Sequence, residues 1–195
     1  MRKEQLTQPI RIEGMGVTTT NEREGGPEGR IPGLWQSFMQ SGAMSRAASS
    51  AYLYAVYCDY ESDVNGAYTL RIGTETPNRA EQDGKEAGEG PEVGAGAEAG
   101  EGNGNGLGTG TGIGAETGAE TGAETGHSVI PAGTYLVFKS RKGPVFEVVA
   151  EVWREIWAFF ADSELIRTYK ADFERYTMEG FRPEAAEVEV YIGIR

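Results

Sequence analysis

The sequence predicts an α+β domain in which two strand-helix-strand-strand units form one antiparallel sheet, with two helices on one face and a cleft between them. Two observations predict this class. Two segments with helical apolar spacing each follow a β-branched strand and precede two further strands. A long Gly/Glu/Thr-rich tract separates the two blocks, so the four-element order is repeated along the chain.

The first unit is expected within residues 9–75. The stretch 10–20 is a short β-branched strand in which Gly14 and Gly16 indicate a bulge or a close approach of another backbone. Pro32 and Gly42 mark the start and the end of a helix. Two strands joined by a turn complete the unit, AYLYAVYCDYES and AYTLRIG.

The second unit is expected within residues 127–195. It opens with the strand segment HSVIPAGTYLVFK. The next segment is predicted to be an amphipathic helix, VFEVVAEVWREIWAFFADS, in which Trp153 widens an apolar stripe that covers the sheet. The last two strands are DFERYT and AEVEVYIGI. The whole chain, 1–195, is therefore interpreted as a single domain whose two halves are separated by an insertion.

That insertion, residues 76–126, carries most of the negative charge. It holds three tandem Gly-Ala-Glu-Thr units and has no aromatic residue. Ten acidic and two basic residues give it a net charge of −8, so the remainder of the chain carries only −4 of the total of −12. The composition predicts a flexible linker, because such a segment cannot bury enough apolar surface to offset its ordering entropy.

The remaining composition excludes several classes. No basic patch supports nucleic-acid binding. Cys58 is the only cysteine, which excludes an internal disulfide, and no stretch approaches the ~20 apolar residues of a membrane span, so a cytoplasmic protein is expected. His127 is the only histidine and lacks partners for a metal site or a catalytic triad. We therefore expect no metal and no cofactor.

The candidate binding group is a carboxylate in the DFERY strand. Alternation sends Glu174 and Tyr176 to the same face of that strand. In a cleft walled by Trp157, Tyr57 and Tyr135, Glu174 would be partly desolvated and its pKa would rise unless a cation arrived. The alternative is a strand glutamate that faces solvent or pairs with a neighbouring Arg175 or Lys170, and the residues alone leave both readings open.

Several segments, in matching order, resemble a known family. YAVYCDYESDVNGAYTLRIG, IPAGTYLVFKSRKGP, DFERY and EVEVYIGI are similar to the signature segments of gyrase-inhibitor-like effector-binding domains. Within that family the chain most resembles the stand-alone, integron-associated effector-binding proteins. The same domain is the drug-sensing half of multidrug-responsive transcription regulators.

The resemblance implies a central pocket for hydrophobic organic cations, with an acidic residue at its floor and aromatic residues around it. Glu174 looks like that acid, and we expect Tyr176, Trp157, Tyr57 and Tyr135 to line the pocket with it. The regulators carry a helix-turn-helix domain ahead of this one. Only nine residues precede the first predicted strand here, so direct DNA binding is not expected.

The favoured function is therefore that of a binding protein that senses or sequesters small, hydrophobic, cationic molecules. Two alternatives remain open. One is a hydrolase of reactive drug-like electrophiles, in which a pocket glutamate activates water. The other is a protein-interaction role, as a modulator of a gyrase or of a transcription complex.

Overall fold

The computed structural model describes residues 1–76 and 122–195, which form one antiparallel sheet with helices packed on one face. The strands are β1 (Arg2–Leu6), β2 (Ile10–Thr19), β3 (Tyr52–Cys58), β4 (Tyr68–Glu75), β5 (Glu124–Ile130), β6 (Gly133–Lys139), β7 (Ala171–Thr177) and β8 (Val188–Ile194). The helices are α1 (Asn21–Glu24), α2 (Ile31–Gln40), α3 (Ala43–Ala47) and α4 (Val145–Asp162), with a 3-10 turn at Pro183–Ala185. The predicted α+β class is confirmed.

The strand order shows the duplication directly. Across the sheet the order is β1-β6-β8-β7-β3-β4-β2-β5, and every neighbouring pair is antiparallel. The counterparts in the two halves are β1 and β5, β2 and β6, β3 and β7, and β4 and β8. Exchanging the members of each pair gives the same strand order, read from the opposite edge of the sheet. The sheet therefore has a pseudo-twofold relation whose centre lies between β3 and β7, and these two strands are central, as predicted for β3.

One strand, β1, lies outside the predicted units, and another, β5, begins before the second unit. β1 pairs with β6, and β5 pairs with β2, so each half adds one strand to the edge of the other half. The segment 127–139, predicted as a strand entered through Pro131-Ala132-Gly133, contributes to two strands, because Pro131 and Ala132 separate β5 from β6. β5 also begins at Glu124, inside the predicted linker. The remainder of that linker prediction, residues 77–121, lies outside the described residues.

A row of glycines allows the sheet to bend. Gly14 of β2 lies opposite Gly73 of β4 on one side and opposite Gly126 of β5 on the other. A Cβ added to Gly14 would lie 1.9 Å from the carbonyl oxygen of Ile72, so the backbones approach too closely for any side chain. The sheet curls enough to bring β5 into contact with β3 and β7, which are several strands away in the order.

The helices cover the face that carries the larger core. Leu34 and Phe38 of α2, and Val148, Val152 and Ile156 of α4, are buried against this face. The side chain of Arg30, the N-cap residue of α2, forms no capping hydrogen bond. Instead the carboxylate of Glu24 accepts hydrogen bonds from the backbone N–H groups of Arg30 and Ile31, at 2.8 and 3.1 Å. Pro32 lies in the first turn, as predicted.

The opposite face is closed by the curl of the sheet and by its own aromatic side chains. Phe173 and Tyr191 stack with ring centroids 4.4 Å apart, and Tyr135 packs edge-on against Phe173. All three side chains are almost completely buried. Both faces of the central strands are therefore packed, although helices cover only one of them.

The close approach at Gly14 can be tested with a matched pair of substitutions. Gly14→Ala places a methyl group on the backbone of β4, which must shift, so we expect a loss of at least about 2 kcal/mol in the free energy of unfolding. Gly16→Ala meets only the end of the Arg71 side chain and the Leu70 carbonyl, at 3.1 Å, and should cost much less. Urea unfolding of both variants gives the comparison, and equal midpoints would contradict the close approach.

Candidate functional site

The site is centred on the carboxylate of Glu174, in the middle of β7. Strand alternation turns Asp172, Glu174 and Tyr176 toward the helices and turns Phe173 toward the opposite face. Glu174 is only 1% exposed, so it neither faces solvent nor pairs with Arg175, whose partner is Glu189. The strand glutamate in DFERY is thus a buried acid on the helical face.

Three side chains donate hydrogen bonds to this carboxylate. The Tyr57 hydroxyl and the Trp153 indole Nε1 both donate to Oε1, each at 2.7 Å. The Tyr176 hydroxyl donates to Oε2. These donors come from β3, α4 and β7, so the carboxylate ties the covering helix to the two central strands of the sheet.

Burial governs the protonation of the group. Desolvation raises the pKa of Glu174 above its usual value, and the hydrogen bonds from Trp153, Tyr176 and Tyr57 offset only part of that increase. Burial and the neighbouring carboxylate also raise the pKa of the Tyr57 and Tyr176 hydroxyls well above the ordinary value. Both phenols therefore keep their protons and remain donors.

On one side of Glu174 lies a cavity of about 360 Å³, which we call the tyrosine pocket. Its aromatic wall is a continuous series of ring contacts from Trp157 through Trp153, Tyr57 and Tyr68 to Tyr60, with centroids 5.0 to 6.3 Å apart. The remaining lining comes from Asn21, Glu24, Ile31, Val64, Ala150, Arg154 and Arg167. Glu174 lies behind this wall and does not line the cavity itself.

A positive charge at the back of the tyrosine pocket is compensated. Arg167 is 8% exposed and forms an ion pair with the fully buried Asp172. Asp172 also accepts hydrogen bonds from the Tyr60 hydroxyl, at 3.0 Å, and from the backbone N–H of Gly193, at 2.8 Å. The guanidinium of Arg167 packs 4.6 Å from the ring of Tyr169. The ion pair with Asp172 therefore balances the positive charge of Arg167 at this end of the pocket.

On the other side of Glu174 lies a second cavity, of about 260 Å³, which we call the methionine pocket. Tyr176 lines it and separates it from the carboxylate, and Trp35 packs edge-on against Tyr176 with ring centroids 5.8 Å apart. Its other lining residues are Pro32, Gln36, Met39, Met44, Leu53, Val145, Phe146, Val149, Phe181 and Pro183. The two pockets occupy the cleft between α2 and α4.

The structure brings four of the five predicted site residues together. Tyr57 and Tyr176 contact Glu174 directly, and Trp157 stands at the outer end of the tyrosine pocket, 50% exposed. Tyr135 requires a correction. Its side chain lies on the opposite face, against Phe173, and its hydroxyl donates to the carbonyl of Pro131 at 2.8 Å. The face of the sheet to which Tyr135 turns depends on the register of β6 relative to the other strands, and a shift of one residue would reverse it.

Trp153 is the contact that sequence reasoning missed, because its helical spacing assigned it to the core. One signal could have found it. A buried indole N–H requires an acceptor, and a buried carboxylate requires donors, so an apolar helix that carries Trp153 above the Glu174 strand predicts their pairing. Tyr60 and Tyr68 were likewise not assigned to the pocket that they line.

Within residues 1–76 and 122–195, no cluster of three or more His, Cys, Asp or Glu side chains is arranged to hold a metal ion. In the same part of the chain, no helix has the length and apolar character needed to cross a membrane.

The chain matches the GyrI-like small molecule binding domain over residues 3–195. It belongs to this family. The resemblance carried by DFERY and the other quoted segments is thereby confirmed, and the protein is a small-molecule binding domain. Among the curated proteins, the putative transcriptional regulator YobU of Bacillus subtilis is 29% identical over 188 residues, covering 95% of this chain and 92% of YobU.

Solved structures share the GyrI-like fold. An integron cassette protein of Vibrio cholerae is similar with a TM-score of 0.66 at 22% identity, covering 100% of this chain and 95% of that chain. The structure of SAV2435 bound to tetraphenylphosphonium is similar with a TM-score of 0.63 at 15% identity, covering 100% and 93%.

The raised pKa of Glu174 predicts a specific pH dependence of stability. The folded state holds the Glu174 proton more tightly than the unfolded chain does, so this group stabilises the fold most below its unfolded pKa, near 4.5. The stabilisation is lost as pH rises through the folded pKa. Glu174→Gln removes this contribution, so the stability of the variant relative to the wild type should increase from pH 4.5 to pH 7.

Urea unfolding at several pH values measures this difference. Glu155→Gln, at an exposed position on α4, is the matched control for the removal of one carboxylate. A difference between Glu174→Gln and the wild type that stays constant from pH 4.5 to pH 7 would contradict a raised pKa at this position.

Proposed function

We propose that this domain binds hydrophobic organic cations in the tyrosine pocket of the cleft between α2 and α4, with Glu174 as the counter-ion and Tyr57, Trp153 and Trp157 as contacts. One observation carries the proposal. A carboxylate is buried at the floor of the cleft directly behind a wall of aromatic rings. Burying an acid costs free energy. Here the buried acid lies close enough to the cleft for its negative charge to attract a bound cation.

The geometry suits a cation that lacks hydrogen-bond donors. Opposite unit charges about 6 Å apart attract by roughly 3 kcal/mol at an effective dielectric constant of about 20. Each aromatic face within reach adds roughly 0.5–2 kcal/mol by cation–π attraction. The oxygens of Glu174 already accept three hydrogen bonds, so a ligand gains binding free energy from charge attraction and from contact with the rings. A quaternary cation, which has no hydrogen bond to donate, suits this site better than a primary amine.

A structural relative supports the same chemistry. SAV2435, which shares the fold, was solved with tetraphenylphosphonium bound, and this ligand is a hydrophobic cation without hydrogen-bond donors. The hydrolase alternative lacks comparable support. Glu174 lines neither the tyrosine pocket nor the methionine pocket, so a water in either cavity would have no contact with the presumed base.

Tetraphenylphosphonium binding to wild type and to Glu174→Gln tests the charge. Removing the negative charge should weaken binding at pH 7 by at least tenfold, or about 1.4 kcal/mol, with Glu155→Gln unchanged. Wild-type affinity should fall as pH falls through the raised pKa, because a protonated Glu174 no longer attracts the cation, and Glu174→Gln should show no such dependence. Isothermal titration calorimetry provides the measurement. Equal affinities for wild type and Glu174→Gln would remove Glu174 from this role.

A pair of phenol deletions tests the placement of the aromatic residues. Tyr57→Phe keeps the ring but removes a hydrogen bond that lowers the pKa of Glu174, so the affinity for tetraphenylphosphonium should begin to fall at a higher pH than in the wild type. Tyr135→Phe removes a hydroxyl on the opposite face and should leave the affinity unchanged. A shift in the Tyr135→Phe variant equal to that in Tyr57→Phe would contradict the proposed site.

A further inference from the structure

The methionine pocket has properties that cation binding does not use. None of its lining side chains, all of which belong to the described part of the chain, carries a formal charge. Two large apolar side chains at its rim are open to solvent, Phe146 with 70% exposure and Met39 with 48%. Exposed apolar groups around an apolar cavity are typical of a binding site. Unbranched methionines can also adapt the wall to ligands of different shape.

Only a thin ridge separates this pocket from the tyrosine pocket. On α2, Ile31 lines the tyrosine pocket and the next residue, Pro32, lines the methionine pocket. On α4, Ala150 lines the first and Val149 lines the second. The pockets are therefore neighbouring compartments of one cleft, and each has its own wall residues on the same two helices.

The pseudo-twofold relation explains why there are two compartments. Ala55 of β3 lies directly opposite Glu174 of β7, at the centre of the sheet. Tyr57 and Tyr176 each stand two residues further along their strands, so they occupy equivalent positions on the two sides of the carboxylate. Tyr57 faces the tyrosine pocket and Tyr176 faces the methionine pocket. The duplicated halves thus build two cavities around a single acid.

We propose that the methionine pocket is a second ligand compartment, which binds an uncharged aromatic molecule of about two rings independently of the tyrosine pocket. The inference deepens the proposed function and relies on it only for the cation's place in the tyrosine pocket. An apolar cavity of about 150 Å³ holds benzene. At about 260 Å³ the methionine pocket is large enough for a two-ring molecule.

The chemistry of the wall selects an uncharged occupant. A charged group in this compartment would lose its hydration without meeting an opposite charge, because none of the lining side chains is charged and the hydroxyl of Tyr176 is already committed to Glu174. An aromatic ring instead gains contacts with Trp35, Phe181 and the methionines. The ligand class is therefore apolar and aromatic.

Prodan (6-propionyl-2-dimethylaminonaphthalene), an uncharged two-ring dye whose emission shifts to shorter wavelength in apolar surroundings, tests the proposal on the full chain. We expect one dye to bind per chain, with its Kd changed by less than about threefold when tetraphenylphosphonium is saturating. Val149→Trp and Gln36→Trp fill the pocket from its two opposite helices, and each should weaken dye binding at least about tenfold. Gln36 is exposed, so its substitution places little demand on folding.

Ala150→Trp is the matched control on the neighbouring position of α4. It fills the tyrosine pocket, so it should weaken tetraphenylphosphonium and leave the dye unaffected. Displacement of the dye by tetraphenylphosphonium would overturn the proposal, as would dye affinity that neither Val149→Trp nor Gln36→Trp reduces. If tetraphenylphosphonium fails to bind at all, the proposed cation function falls, while loss of dye binding in those two variants still supports the second compartment.

Discussion

The burial of one carboxylate is the constraint around which this molecule is arranged. Glu174 cannot remain in the interior without donors, and the fold supplies them from three elements: Tyr57 of β3, Trp153 of α4 and Tyr176 of β7 itself. Meeting that requirement sets the position of α4 over the central strands. It also lines up the rings that become the walls of the cavities. The side chains that donate hydrogen bonds to the acid are therefore also side chains that line the two cavities.

The duplication places this acid where it can act for both halves. Ala55 pairs with Glu174 at the centre of the pseudo-twofold relation, so the two units carry different residues at this pair of equivalent positions. A second carboxylate there would put two like charges side by side in a buried sheet, at a high cost in free energy. One acid flanked by equivalent tyrosines is the arrangement that a symmetric fold can sustain.

Sequence patterns correctly predicted the features that depend on periodicity within one segment. They failed for the features that depend on how strands pair and on their register. The amphipathic stripe of α4 and the alternation that puts Glu174 and Tyr176 on one face are intrinsic to their own segments. β1 is polar and the first residues of β5 belong to the predicted linker, and both segments become strands because a partner edge accepts their backbone. Tyr135 was assigned to the wrong face because a strand's own alternation does not reveal which face its neighbour turns inward.

The hydrogen bonds to Glu174 also bear on selectivity. A bare buried carboxylate would demand a cation, because an uncharged ligand would leave it without any compensation. Here two phenols and an indole already compensate part of the charge, and the aromatic wall stands between the acid and the ligand. An uncharged aromatic molecule in the cleft therefore leaves no unmet donor or acceptor behind. Under the proposed function, preference for a cation is a matter of degree that depends on the electric field of Glu174, and contact with the rings determines which ligand shapes fit. If both proposed compartments bind ligands, the domain should accept a broad range of molecules, because a flat apolar surface is the requirement that both compartments share.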